Sequence, residues 1–449
     1  MSKQRIQLSD HFTYPRLLRF VLPCIGTMLF TSIYGIVDGL CVSNFVGKTA
    51  FAAVNLIMPL PMLLGTIGFM LGTGGSAIVG ITLGEGDQKK ADRYFTLFLL
   101  AALISVSVLA VLGIVFLRPI AVLLGAKGEL LDYAVRYGRI LMVSLPTFAL
   151  QNMFQSFFVT AEKPHLGFWF TVGAGCTNMV LDVLMVGVWG WGVEGAAIAT
   201  FISQLVGGVL PVFYFIDRSN TSRLHLCQTK VYGGVLRDAC INGSSELMTN
   251  LSMSLVNILY NFQLLRLAGE NGVAAYGVIM YAAFLFVAVF VGYAVGSAPI
   301  VSFHYGARNH AEVHNLYRKS LRLIAVVAVT LTLASMFIIP CVARVFVGYD
   351  AELLALTSRA FRLYALSFLI MGFNVYASSF FTALGDGVTS ALISFLRTLA
   401  FQVIAILLLP MLLGIDGIWL AVTAAELAAL AVSAAMLLTK DKVFHYRKV

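Results

Sequence analysis

Residues 94–117, YFTLFLLAALISVSVLAVLGIVFL, run for 24 residues without a charged side chain. As an α-helix this stretch is about 36 Å long, enough to cross a hydrocarbon layer of ~30 Å. Inside lipid only a helix satisfies every backbone group within one such run. Comparable runs recur on both sides of it, near 17–43, 50–77, 133–160, 166–189, 193–216, 239–265, 273–301, 317–342, 354–384, 388–412 and 416–439. The reading is therefore an all-α polytopic membrane protein with twelve spans, numbered here in chain order. Composition agrees: 59% of the 449 residues are hydrophobic, 11% are charged, and mean hydropathy is +0.90. A soluble domain carries about 25% charged residues, so a soluble enzyme and a disordered chain are both excluded. A transmembrane β-barrel is excluded by the absence of period-two alternation.

The net charge of +9 is read as loop charge rather than as a nucleic-acid surface. Lys and Arg divide 20 to 9 between the two sides of the membrane, with Arg397 left in the middle of a span. The positive-inside rule then places both termini in the cytoplasm and the protein in the cell membrane. The polar N-terminus shows no cleavage site, so span 1 is expected to be retained. The six cysteines, Cys24, Cys41, Cys176, Cys227, Cys240 and Cys341, have no paired spacing, so no disulfide or zinc site is expected.

The chain also matches itself at an offset of 222–223. SIYGIVDG at 32 lies over SLVNILYN at 254, and AAVNLIM at 52 over AAYGVIM at 274. SFF at 156 lies over SFF at 379, and GVEGAAIA at 192 over GIDGIWLA at 414. Each copy holds six spans, an even number, so the copies share one topology and form a parallel repeat. The expected organisation is a six-helix lobe over 1–216, a cytoplasmic linker over 217–238 and a second six-helix lobe over 239–449. Two complete lobes in one chain predict that a monomer suffices for function.

Several of these stretches resemble the MATE (multidrug and toxic compound extrusion) transporters. They are SIYGIVDGLCVSNFVG in span 1, TNMVLDVLMVG in span 5, GVEGAAIATFIS opening span 6, and the paired segments around LLGA at 123 and TALGDG at 382. The resemblance covers almost the whole chain. It implies a secondary antiporter that exports amphipathic organic cations or drugs in exchange for protons or sodium ions. Lipid-linked precursor flippases of the wider superfamily share that architecture and are the alternative.

The intramembrane acids support a coupling site on their own terms. Asp38 lies 10 residues before Lys48, and Asp182 lies 19 residues after Lys163. Helical rise places both in the outer half of the bilayer. Asn178 is one turn before Asp182 on the same face, and Thr200 reaches a similar depth from the start of span 6. An isolated carboxylate there costs ~2.5–3.5 kcal/mol on insertion scales, a cost that a bound proton or a hard cation would lessen. The resemblance points to the same four residues, Asp38, Asn178, Asp182 and Thr200, as the site for H+ or Na+. At the repeat offset Asp38 falls on Tyr260 and Asp182 on Ile404 or Ala405, so coupling is assigned to the first lobe alone.

The second lobe carries Glu246 and Arg397 in the inner half of the bilayer, and the expectation is that they pair. Gln155, Asn257 and Gln263, with Gln151, Asn152, Asn261 and Asn374, are candidates to line a central cavity. Glu246 and Arg397 join the candidates for contact with substrate. Pro59 and Pro61 with GTIGFMLGTGGS in span 2, and GYAVGSAP in span 8, are read either as matched bending elements or as places of close helix packing. The chain contains no phosphate loop, His-rich metal motif or G-x-S-x-G elbow, so it is not expected to be an enzyme or to carry a resident cofactor. The partners expected are cationic small molecules and membrane lipids, without nucleic acid.

Overall fold

The computed structural model describes residues 6–45, 48–348 and 350–446, without the side chains of 38–45, 48, 51 and 345. Cys41 falls outside those side chains; the other five cysteines are free thiols. Among the described residues the elements are all helical. Nine helices are long and apolar enough to cross a membrane, or ten when the bent pair Ala351–Ala365 and Phe368–Ala383 counts as one span. The helix Gly233–Gly306 is 74 residues long and turns at Gly269 (φ +60°), so it supplies two spans. The helix Glu129–Thr160 supplies the remaining one; it starts with charged residues but is buried along most of its second half. The total is the twelve spans expected.

The most apolar helix, Gln88–Leu123, has only a third of its most apolar window buried. Its Ile104, Val111, Val115 and Leu123 side chains are exposed. In water such a surface would be an error; in lipid it is the solvent-facing side.

The duplication is written in the backbone. Residues with positive φ recur at the same offset of 222–223: Gly86 with Arg308, Glu162 with Gly385, and Gly192 with Gly414. Helix starts recur likewise. Asp87 caps Gln88–Leu123 by accepting from the Lys90 amide at 3.0 Å, and Asn309 caps His310–Val347 by accepting from the Glu312 amide at 3.2 Å. Arg308 and Glu162 tolerate a conformation that costs a side chain energy, because the turn they occupy belongs to the repeat.

One face of the molecule carries both described ends of the chain and the linker, and is called here the terminal face. The linker lies along the start of span 3: the His225 amide donates to Asp92 at 3.1 Å and the Cys227 amide to Thr96 at 3.1 Å. A large buried apolar cluster on this side draws on both halves, with Phe95, Phe154 and Val79 from one and Ile300, Phe380 and Tyr446 from the other. Towards the opposite face the core divides. Ala53, Tyr137 and Val193 pack within the first half, and Tyr260, Ile279, Phe361 and Trp419 within the second. The halves are thus fused at the terminal face and packed separately at the other.

Glycines make the seam. A Cβ on Gly74 would overlap the Ala239 carbonyl, one on Gly243 the Met70 carbonyl, one on Gly84 the Phe303 carbonyl, and one on Gly306 the Ile81 carbonyl. Spans 2, 7 and 8 therefore touch backbone to backbone. For span 8 the packing alternative holds. Pro299 sits inside the helical stretch that follows Gly269, and Gly292 and Gly296 receive Ile25 and Cys24 of span 1. Those small residues serve close packing, not bending. In span 2 the break does fall at the proline, between Lys48–Ile57 and Pro59–Gly84.

Outside the membrane, Asp386 caps the helix Gly387–Phe395 by accepting from the Thr389 amide at 3.2 Å, and it pairs with Lys440 at 2.9 Å. Burial pushes its carboxyl up, but the bonds from Lys440 and Thr389 outweigh burial and hold it below the usual carboxylate range. Its contribution is therefore complete above the ordinary Asp pKa and is lost as pH falls through the depressed value.

Two outcomes are expected in thermal unfolding of purified protein. Gly243→Ala should destabilise by about 1–3 kcal/mol through overpacking, whereas Gly233→Ala, whose Cβ meets nothing within 4 Å, should leave Tm unchanged. Asp386→Ala should cost about 1 kcal/mol at pH 7, with the difference from the parent shrinking as the sample is acidified.

Candidate functional site

In the first half, the helix Pro164–Asp182 presents Asn178 and Asp182 one turn apart, and both are buried, Asp182 completely. Asn178 Nδ2 finds no hydrogen-bond partner among the described residues. Directly after Asp182 the helix widens into a π-turn, Val183–Val188. Such turns interrupt the regular ladder and often mark functional sites. Gly175, one turn before Asn178, lets span 1 approach: a Cβ there would overlap the Phe30 ring and press on Tyr34. Position 38 of span 1 is one helical turn beyond Tyr34, and its side chain lies outside those described. Thr200 is half-buried in span 6 and donates to the Ala196 carbonyl at 3.0 Å. Its hydroxyl proton is thus used within its own helix, which leaves its oxygen as an acceptor. The oxygens of Asn178, Asp182 and Thr200 suit a hard cation, and a carboxyl at Asp182 suits a proton.

In the second half the structure changes the expected pairing. Arg397 does not close on Glu246 within ion-pair distance; it pairs with Glu426, Nη1 to Oε1 at 3.2 Å. Glu426 is 1% exposed. Its Oε2 accepts from Asn374 Nδ2 at 2.7 Å, and Asn374 Oδ1 accepts from Ser433 Oγ at 2.9 Å. Asn374 is fully buried, so it belongs to this network and not to a cavity wall. Arg397 sits in another π-turn, Leu396–Ala400, where the helix rotates its register. Glu426 was visible in the sequence as the lone acid of AVTAAELAALAVSAA, and depth alone gave no reason to prefer it to Glu246. Azimuth decided: Glu426 and Arg397 face each other across neighbouring spans.

The other candidates separate. Gln155 lines a small cavity with Cys24, Thr27 and Val295, at the contact between halves. Asn257 is exposed and its carbonyl accepts from Asn261 at 3.0 Å, while Gln263 is half-buried. Gln151 is buried against Gly207 of span 6 and Asn152 is buried on the same helix. The structure therefore does not gather these amides into one wall.

Comparison with known proteins agrees with this architecture. The chain is 21% identical over 431 residues to the multidrug export protein MepA of Staphylococcus saprophyticus, covering 95% of this chain and 94% of that one. It is 21% identical to MepA of Staphylococcus aureus, covering 96% and 95%. Among solved structures, a multidrug resistance MATE family transporter of the MOP superfamily in an outward-facing conformation aligns with a TM-score of 0.92 at 22% identity, covering 99% of each chain. A transporter from Pyrococcus furiosus of the same superfamily aligns with a TM-score of 0.90 at 23% identity, covering 100% of both chains. The MatE family model matches residues 23–184 and again 247–408, one match in each repeat. With both repeats matched, the chain belongs to the MatE family.

Proposed function

We propose that this protein is a secondary antiporter that exports amphipathic organic cations in exchange for H+ or Na+ by alternating access. The single observation that carries the reading is the buried Asn178–Asp182 pair at the head of a π-turn in the first half. An acid so placed costs less when it binds a proton or a cation, so its occupancy is tied to whatever geometry surrounds it. Asp38 of span 1 and Thr200 of span 6 complete the proposed ion site. The names of the MepA relatives supply the substrate class: multidrug export. Export, rather than catalysis, also fits a chain of this family.

The state of the seam gives direction to the cycle. With the terminal face taken as cytoplasmic by the positive-inside rule, the halves are closed inwards and parted outwards. Ion binding at Asp182 from that side would favour return to the inward-open form, since a ligand shifts an equilibrium only by its differential affinity for the two states. On the substrate side, Glu246 makes no ion pair among the described residues, and it is an acid of the second half not held by Arg397. This favours a cation over an anion. A pyrophosphate-bearing lipid would need a guanidinium to receive it, and Arg397 is already held by Glu426. The flippase reading is for that reason the weaker one.

Reconstitution in liposomes tests the proposal. Ethidium should move uphill when a pH or a sodium gradient is imposed, and Asp182→Asn should abolish that movement while unfolding at the same temperature as the parent. Full uphill transport by the variant would remove the coupling role. Glu246→Gln should raise the apparent KM for the cation about tenfold with kcat and Tm little changed. Glu426→Ala, which strands the buried Arg397, should lower stability by roughly 3–5 kcal/mol, and the double change to Arg397→Met with Glu426→Gln should recover most of it.

A further inference from the structure

We propose that Glu162 and Glu312 are gating residues of the transport cycle, which clamp the segment before span 1 across the seam between the halves. Residues 6–13 form no long helix, yet Leu8 and Phe12 are completely buried in the cluster that both halves share. Each is fixed by a carboxylate on a different half. The Leu8 amide donates to Glu162 Oε1 at 2.9 Å, in the turn between spans 4 and 5. The Phe12 amide donates to Glu312 Oε1 at 2.8 Å, at the start of span 9.

Both carboxylates are hubs. Glu312 also takes His11 Nδ1 at 2.6 Å and Asn315 Nδ2 at 2.8 Å. The Phe12 carbonyl in turn accepts from Lys319 Nζ at 2.6 Å and Asn315 Nδ2 at 3.2 Å. Glu162 pairs with Arg223 of the linker at 2.7 Å, and the Arg223 guanidinium lies 4.9 Å from the Phe303 ring of span 8. Phe303 and Gly306 are the residues that meet Gly84 and Ile81 across the seam. The strap therefore starts on the first half, crosses to the second at Phe12, and returns to the first as span 1.

The mechanical consequence follows. If the terminal face opens, Gly84 leaves Phe303, and a strap tied to both halves cannot keep both ties. At least one carboxylate must release its amide and Leu8 or Phe12 must leave the core. A hydrogen bond to a charged group is worth about 1.5–3 kcal/mol, which is roughly tenfold or more in a two-state equilibrium. The strap thus holds the terminal face shut, and Glu312, with the larger set of donors, is its main catch. The inference rests on the alternating-access reading above, and its readout is chosen to need neither substrate nor ion.

Full-length protein with its cysteines replaced by serine, carrying Ser302→Cys at the seam, is exposed in inside-out vesicles to a membrane-impermeant maleimide. Glu312→Gln should speed labelling about tenfold, Glu162→Gln by a smaller factor, and Phe12→Ala at least as much as Glu312→Gln. A second reporter, Ala91→Cys, completely buried on the terminal face at the start of span 3 where the linker lies, should label at an unchanged rate. Unchanged or slower labelling of Ser302→Cys in folded Glu312→Gln protein would overturn the proposal. So would equal acceleration at Ala91→Cys, since that is general loosening. Faster labelling at the seam alone, in protein that fails to move ethidium, would retain the strap and remove the drug-export reading.

Discussion

Everything in this molecule turns on a backbone contact that only glycine permits. Gly74, Gly84, Gly243 and Gly306 let spans 2, 7 and 8 meet main chain to main chain on the terminal face. Small residues are how helices pack closely where no hydrophobic force drives them together. Such a contact has no side chains to deform, so it is made or broken as a unit. The rest follows from its being made here. The apolar core is continuous beneath it and divides beyond it, and each half keeps its own cluster. A seam of this kind suits two rigid halves that rock, and the separate cores are what keep each half intact while they do.

The two halves bury different polar groups. In the second, Arg397, Glu426, Asn374 and Ser433 bond one another in sequence. Removing Glu426 strands the largely buried Arg397, so the network acts as internal bracing. In the first half Asp182 is completely buried one turn from Asn178, and the helix carrying it changes geometry at that point. The proposed ion exchange lies in the first half because the second has Tyr260 and Ile404 or Ala405 where the first has Asp38 and Asp182, and this asymmetry breaks the symmetry of the repeat.

Much of this was legible in the chain. The spans follow from charge-free runs, and the duplication predicts the positions of turns so closely that Glu162 adopts the positive φ of Gly385, its counterpart. The buried pair Asn178 and Asp182 follows from depth and helical spacing. What failed did so for identifiable reasons. Depth along a helix is set by residue count, but azimuth across two helices is not, and a π-turn at Arg397 shifts azimuth further. Hence Arg397 was matched with Glu246 when Glu426 faces it. Glycine and proline in span 8 carry the same signature whether they loosen a helix or admit a neighbour, and here Gly292 and Gly296 admit span 1. The N-terminal strap gave little signal because its anchoring groups are backbone amides, which any sequence possesses.

The central claim is that ion binding in the first half moves the seam. Spin labels at Leu123→Cys and Glu352→Cys would report the opposite face, and labels at Glu85→Cys and Arg308→Cys the terminal face. Distances should be measured by double electron–electron resonance over a pH series and a sodium series. The account predicts that one of the two ions changes the pairs in opposite senses, one lengthening as the other shortens, and that Asp182→Asn is insensitive to that ion. Distances that stay fixed in the parent, or that respond identically in Asp182→Asn, would contradict it.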